Sequence, residues 1–239
     1  MGELKIEKLT PTVGAEILDV DVERMLADDE LPGLTLDALD AHGALVFRGL
    51  HIDDESQVAF SKRLGRVETF PGGPIPEILR VTLDPAKNKA AAYLKGTFDW
   101  HIDGLTEDVP IMATLLAAHA VAESGGETEF ASSYDAFEAL SDEEKERALA
   151  TRVVHSLSAA AELADAGEDM LAMAKHRPAK GHPLVGRTRP AAGRWCSAPP
   201  RTTSSAWTPG RAGPTWTTCS SARRSPTGCI ATSGRSVTW

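Results

Sequence analysis

The sequence predicts an α+β fold in which a sheet forms the main core. Two observations carry that expectation: short apolar or alternating segments bounded by Gly and Pro, and helical segments between them that are too charged to make a core alone. The 239 residues allow one sizeable domain or two small ones.

The elements follow in chain order. Leu9 to Val20 alternates apolar and polar residues, with Pro11 and Gly14 as punctuation, and reads as an opening strand or hairpin. Leu34 to His42 has helical spacing and Gly43 stops it. Ala44 to Arg48 is a short apolar strand. Asp53 and Asp54 cap a helix that runs through Val58, Phe60 and Leu64 to Gly65. Ile78 to Leu83 reads as a strand, and Ile111 to Val121 as an apolar run whose period does not separate strand from helix. Gly125-Gly126 marks a turn before a strand from Thr128 to Ala131. Ser141 and Glu144 form a capping box for a charged helix through Ala150, and Val153 to Ser156 is a further strand. No internal repeat is evident.

The formal net charge of −9 hides a break. All 34 Asp and Glu precede Gly186, together with 17 of the 25 Lys and Arg; the remaining 8 are arginines in the tail. The tail also holds all 3 Cys and four of the 5 Trp, but almost no Leu, Ile, Val or Phe. Such a segment buries too little apolar surface to offset its chain entropy. Residues 1–185 are therefore read as the informative domain, and residues 186–239 as a low-complexity, disordered tail.

A one-base shift gives the tail a second reading, as out-of-frame translation. In that frame Gly186 to Arg189 become compatible with RTHP, and Ala198 to Pro209 with ATADHVVGMDP. Gly213 to Ala222 fit RAYLDDLLER, and Ile230 to Trp239 fit HRHEWSVGDL. Acidic and aliphatic residues reappear together. The cysteines then carry no redox information, and no CxxC-type metal spacing exists. No apolar run approaches the ~18–20 residues of a membrane span, no signal-peptide pattern opens the chain, and the acidic balance excludes a generally basic nucleic-acid coat.

His-Ile-Asp occurs twice. On a strand, positions i and i+2 face the same way, so the triplet sets an imidazole beside a carboxylate. These are two of the three protein ligands of a facial triad that leaves open sites on Fe(II). In His51-Ile52-Asp53 the aspartate is more simply a helix cap. His101-Ile102-Asp103 has richer surroundings: Phe98-Asp99-Trp100 before it, Gly104 after it, then Gly125-Gly126-Glu127-Thr128. A Thr128 hydroxyl can hydrogen-bond an organic acid, and Trp100 with Phe98 could wall a dry pocket.

WHIDG, followed 25 residues after Asp103 by Thr128 in SGGETEFAS, resembles the TauD/TfdA family of Fe(II)- and 2-oxoglutarate-dependent dioxygenases. LTPTVGAEI, ALVFRGL and AFSKRLG are similar to that family's opening, and YDAFEALSDEEKERAL, VVHS and GHPLV to its later segments. The resemblance spans nearly all of residues 5–185, and the shifted RTHP, DHVVGMDP and HEWSVGDL also resemble its C-terminal half. It implies a double-stranded β-helix (jelly-roll) core with helical decoration. It implies Fe(II) held by His101 and Asp103, 2-oxoglutarate contacted by Thr128, and a substrate pocket touched by Thr97 and, more loosely, Trp100. The implied reaction consumes O2, releases succinate and CO2, and hydroxylates a small, anionic organic substrate.

The same resemblance requires a distal His and an Arg that pairs with 2-oxoglutarate. No His follows His182, and tail arginines such as Arg223 or Arg235 have no matching context. The implied activity is accordingly impaired in the chain as written. A non-catalytic jelly-roll binding module, or a His/Asp metal-dependent hydrolase drawing on His119 or His155, remain alternative readings. The expected partners are the small-molecule substrate and O2, without nucleic acid or membrane, with a homo-oligomer open for intact relatives. The expected location is the cytoplasm.

Overall fold

The computed structural model describes residues 3–70, 73–88, 91–94, 100–187, 194–196, 228–233 and 236–238. The chain opens with β1 (Lys5–Lys8), β2 (Ala15–Leu18), α1 (Val22–Ala27), α2 (Leu31–His42), β3 (Ala44–Arg48) and α3 (Asp54–Leu64). It continues with α4 (Ala91–Leu94), β4 (Ala113–Ala117), β5 (Phe130–Ser132), α5 (Ser133–Glu138), α6 (Asp142–Ala150) and β6 (Arg152–His155). There follow α7 (Leu157–Leu163), α8 (Glu168–Lys175), β7 (Lys180–Pro183), β8 (Val185–Arg187), β9 (Arg194–Cys196), β10 (Gly228–Ser233) and β11 (Ser236–Thr238). Helix and strand are mixed, as expected for α+β.

Two compact units divide the chain. The first comprises residues 1–80, 113–130 and 217–236; the second comprises 81–112, 131–216 and 237–239. In the first, a five-stranded sheet has the order β1-β2-β3-β10-β4. β2 falls inside the segment expected to open the fold, and it pairs antiparallel with β1, which lies before that segment, from Lys5 with Leu18 to Lys8 with Ala15. β2 then runs parallel to β3, with α1 and α2 making the crossover. β10 is antiparallel to both β3 and β4.

From Ala44 to Phe47 β3 is apolar and buried on both faces. Leu45 and Phe47 join Ile17, Met25, Leu31, Leu39 and Phe60 in the larger cluster. Ala44 and Val46 point the other way, against Val13 and Phe130. α3 starts where its cap predicts: the Asp53 side chain accepts from the Ser56 amide at 2.8 Å. The Ser56 side chain, and after it this amide bond, hold the Asp53 carboxyl below the ordinary carboxylate range. The Ser141 capping box is complete, with both reciprocal hydrogen bonds to Glu144 present.

Three segments differ from the sequence reading. Ile78 to Leu83 lies in no strand, and Leu79, Val81 and Leu83 are exposed. Alternation becomes a strand only when a neighbour completes the ladder. The ambiguous run after Ile111 resolves as the strand Ala113–Ala117, and its remainder is irregular. α7 and α8 lack the stripe of large aliphatics that marks a helix in sequence, because the small residues Ala161, Ala166 and Ala174 form the centre of their cluster. Along the tail after Val185 the structure describes backbone strands alone; Arg223 and Arg235 lie outside the described residues.

Candidate functional site

His101 and Asp103 belong to the second unit and come close together, although the strand geometry expected of the pair is absent. His101 makes a single bridge, and Asp103 opens a turn that continues to Thr106. The imidazole Nε2 lies 3.5 Å from Asp103 Oδ1, with the two side chains 31% and 41% exposed. Two cis ligands about 2.1 Å from one metal ion stand roughly 3 Å apart. One nitrogen and one carboxylate oxygen, both reachable from solvent, therefore fit two positions around a divalent ion. Among the described residues no group of three His, Cys, Asp or Glu side chains gathers to hold a metal.

The turn after Asp103 is fixed by covalent geometry and packing. Gly104 has φ +74°, a left-handed conformation that L side chains resist. A Cβ there would fall within 2.4–2.8 Å of the Ile111 side chain, so the site admits glycine alone without rearrangement. The Glu107 amide closes the turn onto the Gly104 carbonyl at 3.1 Å.

Polar ties reach this turn from β7 and from Arg177, two residues past α8. The Glu107 carbonyl accepts from His182 Nε2 at 3.0 Å. Arg177 NH1 lies 3.3 Å from Glu107 Oε1, and Lys180 Nζ lies 2.5 Å from Asp108 Oδ1. The Lys180 hydrogen bond and charge keep the Asp108 carboxyl below the usual range. Tyr93, packed against the α7–α8 cluster, senses the same site. Burial raises its phenol's pKa first and the Asp103 charge raises it further, while Arg177 opposes both.

Thr128 is half-buried in the irregular segment before β5 and belongs to the first unit. The preceding Gly125 and Gly126 have φ +76° and +73°, which explains the Gly-Gly pair by backbone conformation alone. Trp100 is half-buried; Thr97 lies outside the described residues, as do Phe98 and Asp99. In the second His-Ile-Asp copy, exposed His51 sits at φ 48° and Asp53 is engaged in capping α3. That copy is a helix start.

The other histidines considered have their own settings. His119 Nε2 lies 3.8 Å from Asp54 Oδ1 in the first unit. His155 is buried with its ring 5.9 Å from that of His182, and burial, then the His182 charge, lowers its pKa. The His155–His182 pair and its link to the Glu107 carbonyl escaped the sequence reading. Only the histidine pair had a sequence signal, in VVHS and GHPLV, whose strands set Val153 opposite His182.

The chain has recognisable relatives among characterised enzymes and solved structures. It is 28% identical over 216 residues to an (S)-phenoxypropionate/alpha-ketoglutarate-dioxygenase of Delftia acidovorans, covering 82% of this chain and 73% of that one. It is 30% identical over 161 residues to an alpha-ketoglutarate-dependent sulfate ester dioxygenase of Pseudomonas putida, covering 64% of this chain and 50% of the relative. The chain thus spans half the length of the second relative. The crystal structure of AAD-2 in complex with Mn(II) and N-oxalylglycine superposes with a TM-score of 0.74 at 21% identity, covering 99% of this chain and 90% of that one. That likeness establishes a shared fold. Residues 5–211, running past the composition break, match the family described as taurine catabolism dioxygenase TauD, TfdA family, and the chain belongs to it.

Proposed function

We propose that the chain carries the proximal half of the metal site of an Fe(II)- and 2-oxoglutarate-dependent dioxygenase acting on a small, anionic organic substrate. The observation that carries this reading is the His101–Asp103 pair at 3.5 Å, followed by a turn whose left-handed Gly104 packs too close to Ile111 for any side chain. His101 Nε2 and an Asp103 oxygen would hold Fe(II), and the Thr128 hydroxyl would donate to a 2-oxoglutarate carboxylate. When bound, iron and 2-oxoglutarate supply the oxidising chemistry, with O2 consumed and succinate and CO2 released. The protein's own part is to present two donors on one side of the ion and leave the other positions open. Trp100 and Thr97 would border the substrate. A jelly-roll core and a cytoplasmic setting belong to the same proposal.

The chain as written turns over slowly in this reading, because the distal His and the arginine clamp have no counterpart after His182. Two protein donors leave the ion with weaker attachment than three. We further propose that residues 186–239 are read out of frame, which the shifted strings RTHP and HEWSVGDL support. Succinate formation from 2-oxoglutarate tests both points, measured with Fe(II) and a panel of aryloxy acids and sulfate esters. Little turnover is expected from the 239-residue chain, with a large gain when codon 186 onward is read in the shifted frame and extended. Stoichiometric succinate and product from the 239-residue chain would overturn the impairment. No gain on restoring the frame would overturn the frame reading.

A further inference from the structure

We propose that His182 is a positioning residue for Asp103, acting through the backbone of the turn that follows it. The proposal rests on the reading of Asp103 as a metal ligand. The physical chain is short. Asp103 continues into Gly104, whose left-handed φ and close approach to the Ile111 side chain require glycine but do not by themselves lock the turn. The turn closes when the Glu107 amide donates to the Gly104 carbonyl at 3.1 Å. At that residue the Glu107 carbonyl accepts from His182 Nε2 at 3.0 Å. A carbonyl can only accept, so the proton of this ring resides on Nε2.

His182 is itself well placed to act as an anchor. It sits within β7, directly opposite Val153 in an antiparallel ladder with β6. The buried His155 ring lies 5.9 Å away and inclined by 45°, forming part of the wall behind it. The other ties to the turn are weaker anchors. Arg177 and Glu107 have side chains 54% and 45% exposed, and Asp108 is 84% exposed. Solvent-exposed ion pairs hold geometry poorly and are screened by salt. The partly buried imidazole–carbonyl bond therefore sets where the turn, and with it the Asp103 carboxylate, stands relative to His101.

The test compares His182→Leu with His182→Gln in the full chain, since a glutamine amide restores a donor. Hydrogen exchange at the Glu107 amide needs no metal: it should quicken about tenfold in the Leu variant and stay within about twofold in the Gln variant. Mn(II) affinity should fall about tenfold in the Leu variant and be retained in the Gln variant. Unchanged exchange and affinity in His182→Leu would overturn the role. Equal losses in Leu and Gln, with both still folded by circular dichroism, would also overturn it, because ring packing rather than donation would then matter. Mn(II) bound equally by the parent and by His101→Ala, with exchange still responding to His182, would instead mark failure of the metal reading, and with it any role toward a ligand.

Discussion

The two compact units are stabilised in different ways. In the first, β3 buries both faces, and Leu45, Leu31, Met25 and Phe60 are almost wholly withdrawn from water. Among the described residues of the second, the clusters are smaller: Phe137, Ala148 and Val185 in one, and three alanines with their flanking residues in the other. The His101–Asp103 pair lies in this second unit, beside a turn tied by a few polar contacts at Glu107 and Asp108. The difference teaches that apolar area sets the stability of the scaffold, whereas local backbone geometry sets the placement of the chemistry. Mutations should separate the two.

The largest effect should come from the first unit's core. Phe60→Ala removes an aromatic ring from the main cluster and should cost about 3–5 kcal/mol in denaturant unfolding. A loss below roughly 1 kcal/mol would break the contrast. Gly104→Ala comes next. It forces a side chain into a left-handed position against Ile111 and should cost about 1–3 kcal/mol, but its Mn(II) affinity should fall further than its stability suggests. Phe60→Ala, by contrast, should retain Mn(II) affinity at temperatures where it remains folded.

Acid should act on the second unit. His155 is buried with a lowered pKa, so the folded protein resists a proton that the unfolded chain accepts. Stability therefore falls as the pH drops below about 6.5 and continues to fall until the folded-state value is reached. His155→Phe should flatten that slope in melting curves taken between pH 7 and 5; an unaltered slope would assign the acid response elsewhere. The smallest effect belongs to Arg177→Ala, below about 1 kcal/mol and diminishing with salt, since its pair with Glu107 is exposed.

What was legible in the sequence follows the same division. Local signals were sufficient wherever one or two residues decide a conformation: Asp53 capping α3, Gly43 ending α2, and Ser141 with Glu144 opening α6. The His101–Asp103 juxtaposition was equally local, being a matter of two residues' spacing. The reading failed where a long-range partner decides. Ile78 to Leu83 has a strand's alternation but no strand in the structure, and the Ala-based packing of α7 and α8 leaves too faint a period. His182 reaching the Glu107 carbonyl spans 75 positions, which no spacing pattern encodes.

The central claim is that His101 and Asp103 together form a metal-binding pair on a rigid turn. Its most direct test is a Mn(II) titration followed by electron paramagnetic resonance on the parent, His101→Ala and Asp103→Ala chains. The account predicts weak but saturable binding of one ion by the parent, and loss of that binding in each variant. Equal binding by all three would contradict it.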